Sequence, residues 1–304
     1  EIYTLSLHDA LPICVSVIGV TPSQFISARA ECVPLVFVRP FAYSLAHLEA
    51  ARKVGATGFL PRTSPEECLV DDAAAHLLHI AGTRAPLPRA FHQVAAANGV
   101  SLPQGLFAGL TADLNLIAST PHLLPQWLDM PEGHQVVGPV YARLPGEVPE
   151  IVADLAAGPK PLVYFAVGSS GNRDLVLDVL RGLGRADCQV LAPVRSHIRD
   201  EDLDTLPLNV HVTDWIPVHQ LGDAVDLAIT HGGEGTVQTS CAQGWPFIGI
   251  PLQFEQRFNV QRCVAFGSAR LVSQKEARKA DWAALVRETL ADDVMRSRAR
   301  RMAG

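Results

Sequence analysis

Residues 225–259 read VDLAITHGGEGTVQTSCAQGWPFIGIPLQFEQRFN, and the fold turns on how this stretch is read. Leu227 to Thr230 is a short apolar run of strand length. His231-Gly232-Gly233-Glu234-Gly235-Thr236 stands at its end and opens a helix. Gly244-Trp245-Pro246 follows, and Phe247 to Ile250 reads as the next buried strand. Strand, glycine turn, helix and strand in succession form the unit from which parallel sheets with covering helices are built. The turn also carries chemistry. An imidazole, several unhindered amides and a hydroxyl converge there, a set that suits a diphosphate at a helix N-terminus. The plainer reading is a glycine corner with a satisfied histidine.

The pattern repeats in both directions. Pro161 to Val167 (PLVYFAV) is strand-like, Gly168-Ser169-Ser170-Gly171 is a turn, and Asp174 to Leu183 has the spacing of an amphipathic helix. The GSSG turn lets a backbone approach a ligand and offers free amides to an anion, although a tight corner would use the same residues. Gln189–Ala192 and Val210–Val212 read as further strands. Nearer the N-terminus, Val15 to Val20 is a strand, and Thr21-Pro22-Ser23-Gln24 supplies an N-cap, a first-turn proline and a capping-box glutamine for a helix through Ala30. Pro34 to Val38 is another strand, and Leu45 to Val54 is a helix closed by Gly55. Ser64 to Pro125 reads as helical segments broken by proline and glycine, with Asp113 to Ala118 as one more strand. Turn formers at Gly138-Pro139-Val140, Pro145, Gly146 and Pro149 mark a boundary. The expected division is a first Rossmann-like domain over 14–145, a linker over 146–159 and a second domain over 160–304.

Composition fits an ordinary α/β protein. The 304 residues are 48% hydrophobic and 18% charged, with a formal net charge of −6. A mildly acidic balance gives no basic face for nucleic acid. The one basic run, Arg296 to Arg301, reads as a solvated final helix. No apolar stretch of about 18 residues is free of charges and helix breakers, so no transmembrane helix is expected. Cys14, Cys32, Cys68, Cys188, Cys241 and Cys263 show no C-x-x-C spacing. Neither a zinc site nor a disulfide framework is indicated, and reduced thiols in the cytoplasm are expected.

Several motifs occur in order: Trp215-Ile216-Pro217, the HGGEGT loop, Gly244-Trp245-Pro246, the P-L-x-x-x-Q segment from Pro251 to Gln256, and Asn259. In these residues the chain resembles the family 1 nucleotide-sugar glycosyltransferases, the group of the macrolide and antibiotic glycosyltransferases and the UDP-glucuronosyltransferases. The resemblance is strongest from Trp215 to Gly267 and looser over the rest from Cys14. It implies a GT-B fold, in which two Rossmann-like domains face each other and the C-terminal one holds the activated sugar. By position, Trp215 would stack on the nucleotide base and the Val218 backbone would bond to it. His231, Gly232, Gly233, Gly235 and Thr236 would hold the diphosphate, joined by Ser169 and Ser170. Glu255 and Gln256 match the acidic-Gln pair that contacts donor sugar hydroxyls. These groups stabilise the charge gained by the leaving diphosphate, so no metal and no cofactor beyond the nucleotide-sugar donor is implied. Trp215 as a core aromatic, Gln256 as a surface side chain and Ser170 as a helix cap are the rival readings.

Two positions depart from the family. Eight residues after His231, where many UDP-sugar enzymes carry a ribose-binding glutamate, stands Thr239. The donor nucleotide is then either UDP or dTDP, whose deoxyribose lacks one of those hydroxyls. Glu234 puts a carboxylate beside the expected diphosphate, which it should repel unless it points away.

The family's catalytic base is a histidine after the first strand, oriented by a later aspartate. The recognisable sequence begins late, at a segment whose Val33-Pro34-Leu35-Val36 resembles the family's mid-domain strand. Two full domains of this kind need about 400 residues. The opening EIYTLSLHDALPI fits neither an element of the fold nor a signal peptide, and it resembles a translated sequencing adapter. The first domain is therefore expected to be incomplete and to lack the base. His8 is not promoted to that role, and His47, His76, His79 and His92 are expected to face solvent. Asp113 is the candidate orienting acid. Ala291 to Gly304 is expected to begin the closing helices. The implied activity is inverting transfer of a hexose from a nucleotide diphosphate to a hydroxyl of a small-molecule or lipid-like acceptor. The alternatives are a noncatalytic nucleotide-sugar-binding fragment and a cell-wall or glycolipid transferase of the same fold.

Overall fold

A computed structural model describes residues 14–303 except 20, 22, 61–63, 141, 142 and 144. The opening thirteen residues, expected to be foreign to the protein, lie outside the described residues, as does Pro22 at the expected start of the first helix. The described residues fall into two compact units. The second runs from Pro139 onward and includes short stretches that begin at Gly58 and Thr120.

The first unit contains β1 (Ser16–Ile18), α1 (Ser23–Ala30), β2 (Leu35–Arg39), α2 (Leu45–Val54), α3 (Pro65–Arg84), α4 (Arg89–Ala97), α5 (Leu106–Gly109), β3 (Leu114–Ile117) and β4 (His134–Val136). The four strands are parallel and lie in sequence order β1-β2-β3-β4. Ser44 caps α2 by accepting from the His47 amide, and Gly55 ends it in the left-handed region at φ 69°, as its sequence signals predict. Ser64 and Glu67 form a capping box at the start of α3.

One expectation for this unit is corrected. His47 does not face solvent. It is fully buried, with Nδ1 3.0 Å from the Ala42 carbonyl and Nε2 2.8 Å from the Thr57 carbonyl. The reason is helical spacing: His47 shares the inner face of α2 with Ala46, Ala50 and Ala51. Asp113 accepts a 2.8 Å hydrogen bond from the Leu35 amide and faces the Arg29 guanidinium. It secures the start of β2.

The second unit contains α6 (Glu150–Ala157), β5 (Leu162–Ala166), α7 (Arg173–Leu183), β6 (Gln189–Ala192), α8 (Asp200–Leu203), β7 (Val210–Val212), β8 (Leu227–Thr230), α9 (Glu234–Gln243), β9 (Phe247–Gly249), α10 (Phe254–Phe266), β10 (Ala269–Leu271), α11 (Gln274–Ala277), α12 (Trp282–Leu290) and α13 (Asp293–Ala303). Its six strands are all parallel, in the order β10-β9-β8-β5-β6-β7. Alternate residues of each strand feed opposite faces. Val163, Phe165, Ile229 and Ile248 pack with α7 and α12 on one side. Leu162, Tyr164, Ala228 and Phe247 pack with α6, α9, α10 and α13 on the other.

The segment expected as a linker is also corrected. Residues 146–159 hold α6, whose Val152 and Leu155 are buried in the core of the second unit, and the units divide at Gly138 and Pro139. The flanking prolines drew attention away from an i, i+3 apolar pair. Strands β4 and β10 were not expected; each has three residues, too few for a periodic signal. No helix among the described residues is long and apolar enough to cross a membrane.

Trp282 anchors the α7/α12 face. It is fully buried, its Nε1 donates to the Ala277 carbonyl at 2.9 Å, and Gly182 on α7 makes room for it, since a Cβ there would lie 2.3 Å from Trp282 Cδ1. Trp282→Ala is expected to destabilise the second unit by about 3–5 kcal/mol, read as an earlier denaturant midpoint. An unchanged midpoint would contradict this packing.

Candidate functional site

In the second unit the chain leaves β5 in one direction to β6 and β7, and returns beyond β5 to β8, β9 and β10. The carboxyl ends of β5 and β8 therefore flank the topological switch point, where open parallel sheets bind ligands. Ala166 pairs with Thr230 at the last rung, so the GSSG turn and the HGGEGT loop emerge side by side. In the first unit the described strands follow sequence order and make no such switch.

His231 lies between these turns. Its ring is 7% exposed. A Cβ on Gly168 would lie 2.7 Å from Nε2, and one on Gly233 would lie 2.4 Å from it, so both glycines are needed to hold the imidazole there. Burial pushes its pKa down, with His197 adding to the effect, so the ring is neutral at neutral pH. The Ala166 carbonyl faces the ring too loosely to count as a partner, and Nδ1 is buried without a formed hydrogen bond. The loop is held by Thr230, whose Oγ1 accepts from the Gly232 amide at 3.1 Å. Gly232 has φ 82°, and a Cβ there would strike Val260 and the Gln256 carbonyl. Only glycine lets α10 approach this closely.

Helix α10 brings the third segment. Gln256 is 3% exposed and is not a surface side chain. Its Oε1 accepts from the Leu252 and Gln253 amides at 2.9 and 3.1 Å and caps α10, while its Nε2 donates to Ser170 Oγ at 3.1 Å. Gln253 reaches the same Ser170 hydroxyl at 3.3 Å. Ser170 thus joins the GSSG turn to the P-L-x-x-x-Q segment and is not a helix cap, since Asn172 caps α7. Ser169 is exposed beside it.

The two glutamates point inward. Glu255 is 7% exposed and accepts from Asn259 Nδ2, which also donates to the Gly232 carbonyl at 3.2 Å. Burial raises the Glu255 pKa. The Glu234 carboxylate turns along its own helix and accepts from Gln238 Nε2 at 2.8 Å. Burial, with Glu255 beside it, pushes Glu234 up to about 7.

Trp215 is 57% exposed, which excludes the core-aromatic reading and leaves the indole free to stack. Val218 spends its amide on the Ile216 carbonyl at 2.9 Å and its carbonyl on the Leu221 amide at 3.2 Å. Thr239 is buried and its hydroxyl donates to the Gly235 carbonyl at 2.8 Å, a bond internal to α9. Gly235 is exposed and Thr236 half-buried in the first turn of α9. Four site residues were not picked out for a role from the sequence. Asn259 and Gln253 lie within the recognised segment, and a polar residue one turn from Glu255 or next to the α10 cap was the available signal. Gln238, four residues after Glu234, has the spacing of a helical partner. His197, which faces Gly171 and adds to the field on His231, carried no signal. Among the described residues no group of three or more His, Cys, Asp or Glu is arranged to hold a metal.

Residues 177–304 match the family described as the erythromycin biosynthesis protein CIII-like C-terminal domain. That match lies wholly within the second unit. The chain is similar to a PGL/p-HBAD biosynthesis glycosyltransferase of Mycobacterium tuberculosis, 28% identical over 193 residues, which covers 63% of this chain and 44% of the relative. The chain therefore spans less than half the length of that curated relative. Among solved structures, the glycotransferase of kitacinnamycin superposes with a TM-score of 0.68 at 19% identity, over 98% of this chain and 72% of the other. A spinosyn rhamnosyltransferase complexed with thymidine diphosphate gives a TM-score of 0.60 at 18% identity, over 95% of this chain and 68% of the other. The fold is that of the GT-B glycosyltransferases.

The second unit should be sensitive to pH through Glu234. The folded domain holds this proton more tightly than the unfolded chain, whose glutamates ionise near 4.5. The stability so contributed is complete below about pH 4.5 and is lost as the pH rises to about 7. Glu234→Gln is expected to exceed wild type in stability by on the order of 1–3 kcal/mol at about pH 8, with the gap closing towards about pH 5. Thermal melts at the two pH values measure it, and a gap that does not change between them contradicts this account.

Proposed function

We propose that this chain carries the donor-binding part of an inverting, metal-independent glycosyltransferase. The enzyme moves a hexosyl group from a nucleoside diphosphate to a hydroxyl of a small-molecule or lipid-like acceptor. The observation that carries the reading is the link from Ser170 to Gln256 beside His231, because it gathers three separate segments at the switch point. As the sugar–phosphate bond breaks, negative charge grows on the leaving diphosphate. The α9 amides at Gly233, Gly235 and Thr236, the His231 imidazole and the Ser169 and Ser170 hydroxyls are the groups assigned to receive it.

Trp215, exposed as it is, is assigned to the base. Val218 would join it only by releasing the bonds of its own turn. Glu255 and Gln256 remain the assignment for the sugar hydroxyls, each exchanging an internal partner for the sugar, and exposed Gln253 beside Ser170 is added to them. The hydroxyl of Thr239 is spent within α9 and supplies no carboxylate to a ribose. That supports a donor site indifferent to the 2′-hydroxyl, and dTDP as a donor nucleotide alongside UDP. The thymidine diphosphate complex among the structural relatives supports the same choice. A cytoplasmic location belongs to this reading, supported by the buried thiols of Cys188, Cys241 and Cys263. A second reading, a nucleotide-sugar-binding module without turnover, is favoured by the first unit, where His47 is sealed by two carbonyls and Asp113 is held by Leu35. Acceptor glycosylation by the 304-residue chain would exclude it.

Isothermal calorimetry with UDP and dTDP tests the site. His231→Ala is expected to weaken binding at least about tenfold, the loss of a charge-assisted hydrogen bond. Trp215→Ala is expected to cost about 1–3 kcal/mol, the usual worth of base stacking. If neither nucleotide binds, or the His231 variant binds as well as wild type, the donor assignment fails. UDP and 2′-deoxy-UDP should bind within about twofold of each other, since no hydrogen bond separates them. A strong preference for the ribose would refute the reading of Thr239.

A further inference from the structure

The diphosphate site proposed above is built beside two carboxylates and has no cation to offset them. Among the described residues no lysine or arginine forms an ion pair with Glu234 or Glu255. Glu255 lies against the first turn of α9, where an incoming phosphate would bind, and Glu234 lies behind it against Gln238. The first-turn amides of α9 have no intrahelical acceptor, and its N-cap, Gly233, has no side chain to supply one. Glu255 faces that terminus from α10, with its carboxylate set toward the Glu234 amide. Asn259 fixes the arrangement by donating to Glu255 and to the Gly232 carbonyl, and it lies against Glu234.

The surroundings of Glu234 are almost wholly neutral or acidic. Glu255, Asn259 and the buried Cys263 thiol face it from α10, and Gln238 faces it from its own helix. His231, on the loop before α9, is neutral because it is buried. Helix α13 and the 218–220 turn meet the far end of α9, where Gly244 backs onto Arg300 and Gln243 donates to the His219 carbonyl. Gln238 Oε1, 2% exposed, has no hydrogen-bond partner. It is the acceptor that a proton on the Glu234 side of the cluster could use.

We propose that Glu234 and Glu255, bridged by Asn259, are a proton-linked placeholder for the donor diphosphate, so that the site takes up a proton when a nucleoside diphosphate binds. The inference rests on the donor-site reading and adds its regulation. Two carboxylates and a diphosphate around one helix terminus repel one another in a half-buried setting. Protonation of the pair removes one of these charges and releases the Glu255 carboxylate from α9, after which it can turn to the sugar hydroxyls. Burial has already moved Glu234 into the neutral range, so the proton is available under ordinary conditions. Diphosphate capture and sugar recognition are then coupled through one residue pair, and donor affinity falls as the pH rises.

Calorimetry of UDP and dTDP binding from about pH 6.5 to about pH 8.5, in two buffers of different ionisation enthalpy, reads the proton directly. For wild type the expectation is uptake approaching one proton and an affinity that drops roughly tenfold per pH unit above neutrality. Glu234→Gln should flatten the pH dependence, cut the uptake and bind more tightly than wild type at about pH 8.5. Glu255→Gln is the second variant and should lower the uptake in the same direction. Ionisation of the nucleotide itself is common to all three proteins and cancels in the comparison. Binding that is independent of pH with no proton exchange, or a Glu234→Gln variant with the wild-type pH profile, overturns the placeholder while leaving the donor site standing. Absence of nucleotide binding at every pH removes the donor site and the placeholder together.

Discussion

Ala166 and Thr230 stand opposite each other where β5 pairs with β8, and the rest of the site depends on that register. A slip of one residue would turn the inward set of side chains outward on both strands, exchange the two cores and carry His231 away from Gly168. With the register fixed, two turns separated by about sixty residues of sequence open at the same edge of the sheet. The sheet order does the rest, because the chain departs from β5 on one side and comes back on the other. The crevice is thus a property of topology, and small residues fill its rim because two backbones and an imidazole must share the space.

Helix α10 closes the arrangement against that rim. Its approach is limited by Gly232, its first turn is capped by its own Gln256, and the remaining amide hydrogens of Gln256 reach Ser170. One side chain therefore ends a helix and ties two turns together. The electrostatics follow from the same packing. Burial favours the neutral forms of His231, Glu234 and Glu255 alike, and the amide end of α9 adds a partial positive charge at this edge.

Much of this was legible in the sequence because it rests on local signals. Strands expected over Gln189–Ala192, Val210–Val212 and Leu227–Thr230 are found at those residues, and α2 begins and ends where Ser44 and Gly55 place it. Buried parallel strands are continuous β-branched runs, and helix termini are marked by the residues that satisfy their free amides and carbonyls. The linker reading failed because proline-rich flanks say nothing about the apolar pair inside α6. His47 was misread because a single polar residue on an otherwise alanine-rich helix face does not reveal which side is covered.

The sequence by itself determined which residues the donor-site proposal draws on: the glycine loops, His231, the serines of the first turn and the glutamine segment. Their identity is chemical and local, and spacing along the chain preserves it. Only the tertiary structure decided what those residues touch. It turned Thr239 back onto its own helix, set Glu255 at the start of α9, committed both ends of the Gln256 amide and left Trp215 open to solvent. Each of these outcomes depends on a neighbour distant in sequence or on the burial of a helix face. Hydrogen bonds and desolvation act through space, and one strand register with one helix packing fixed them all.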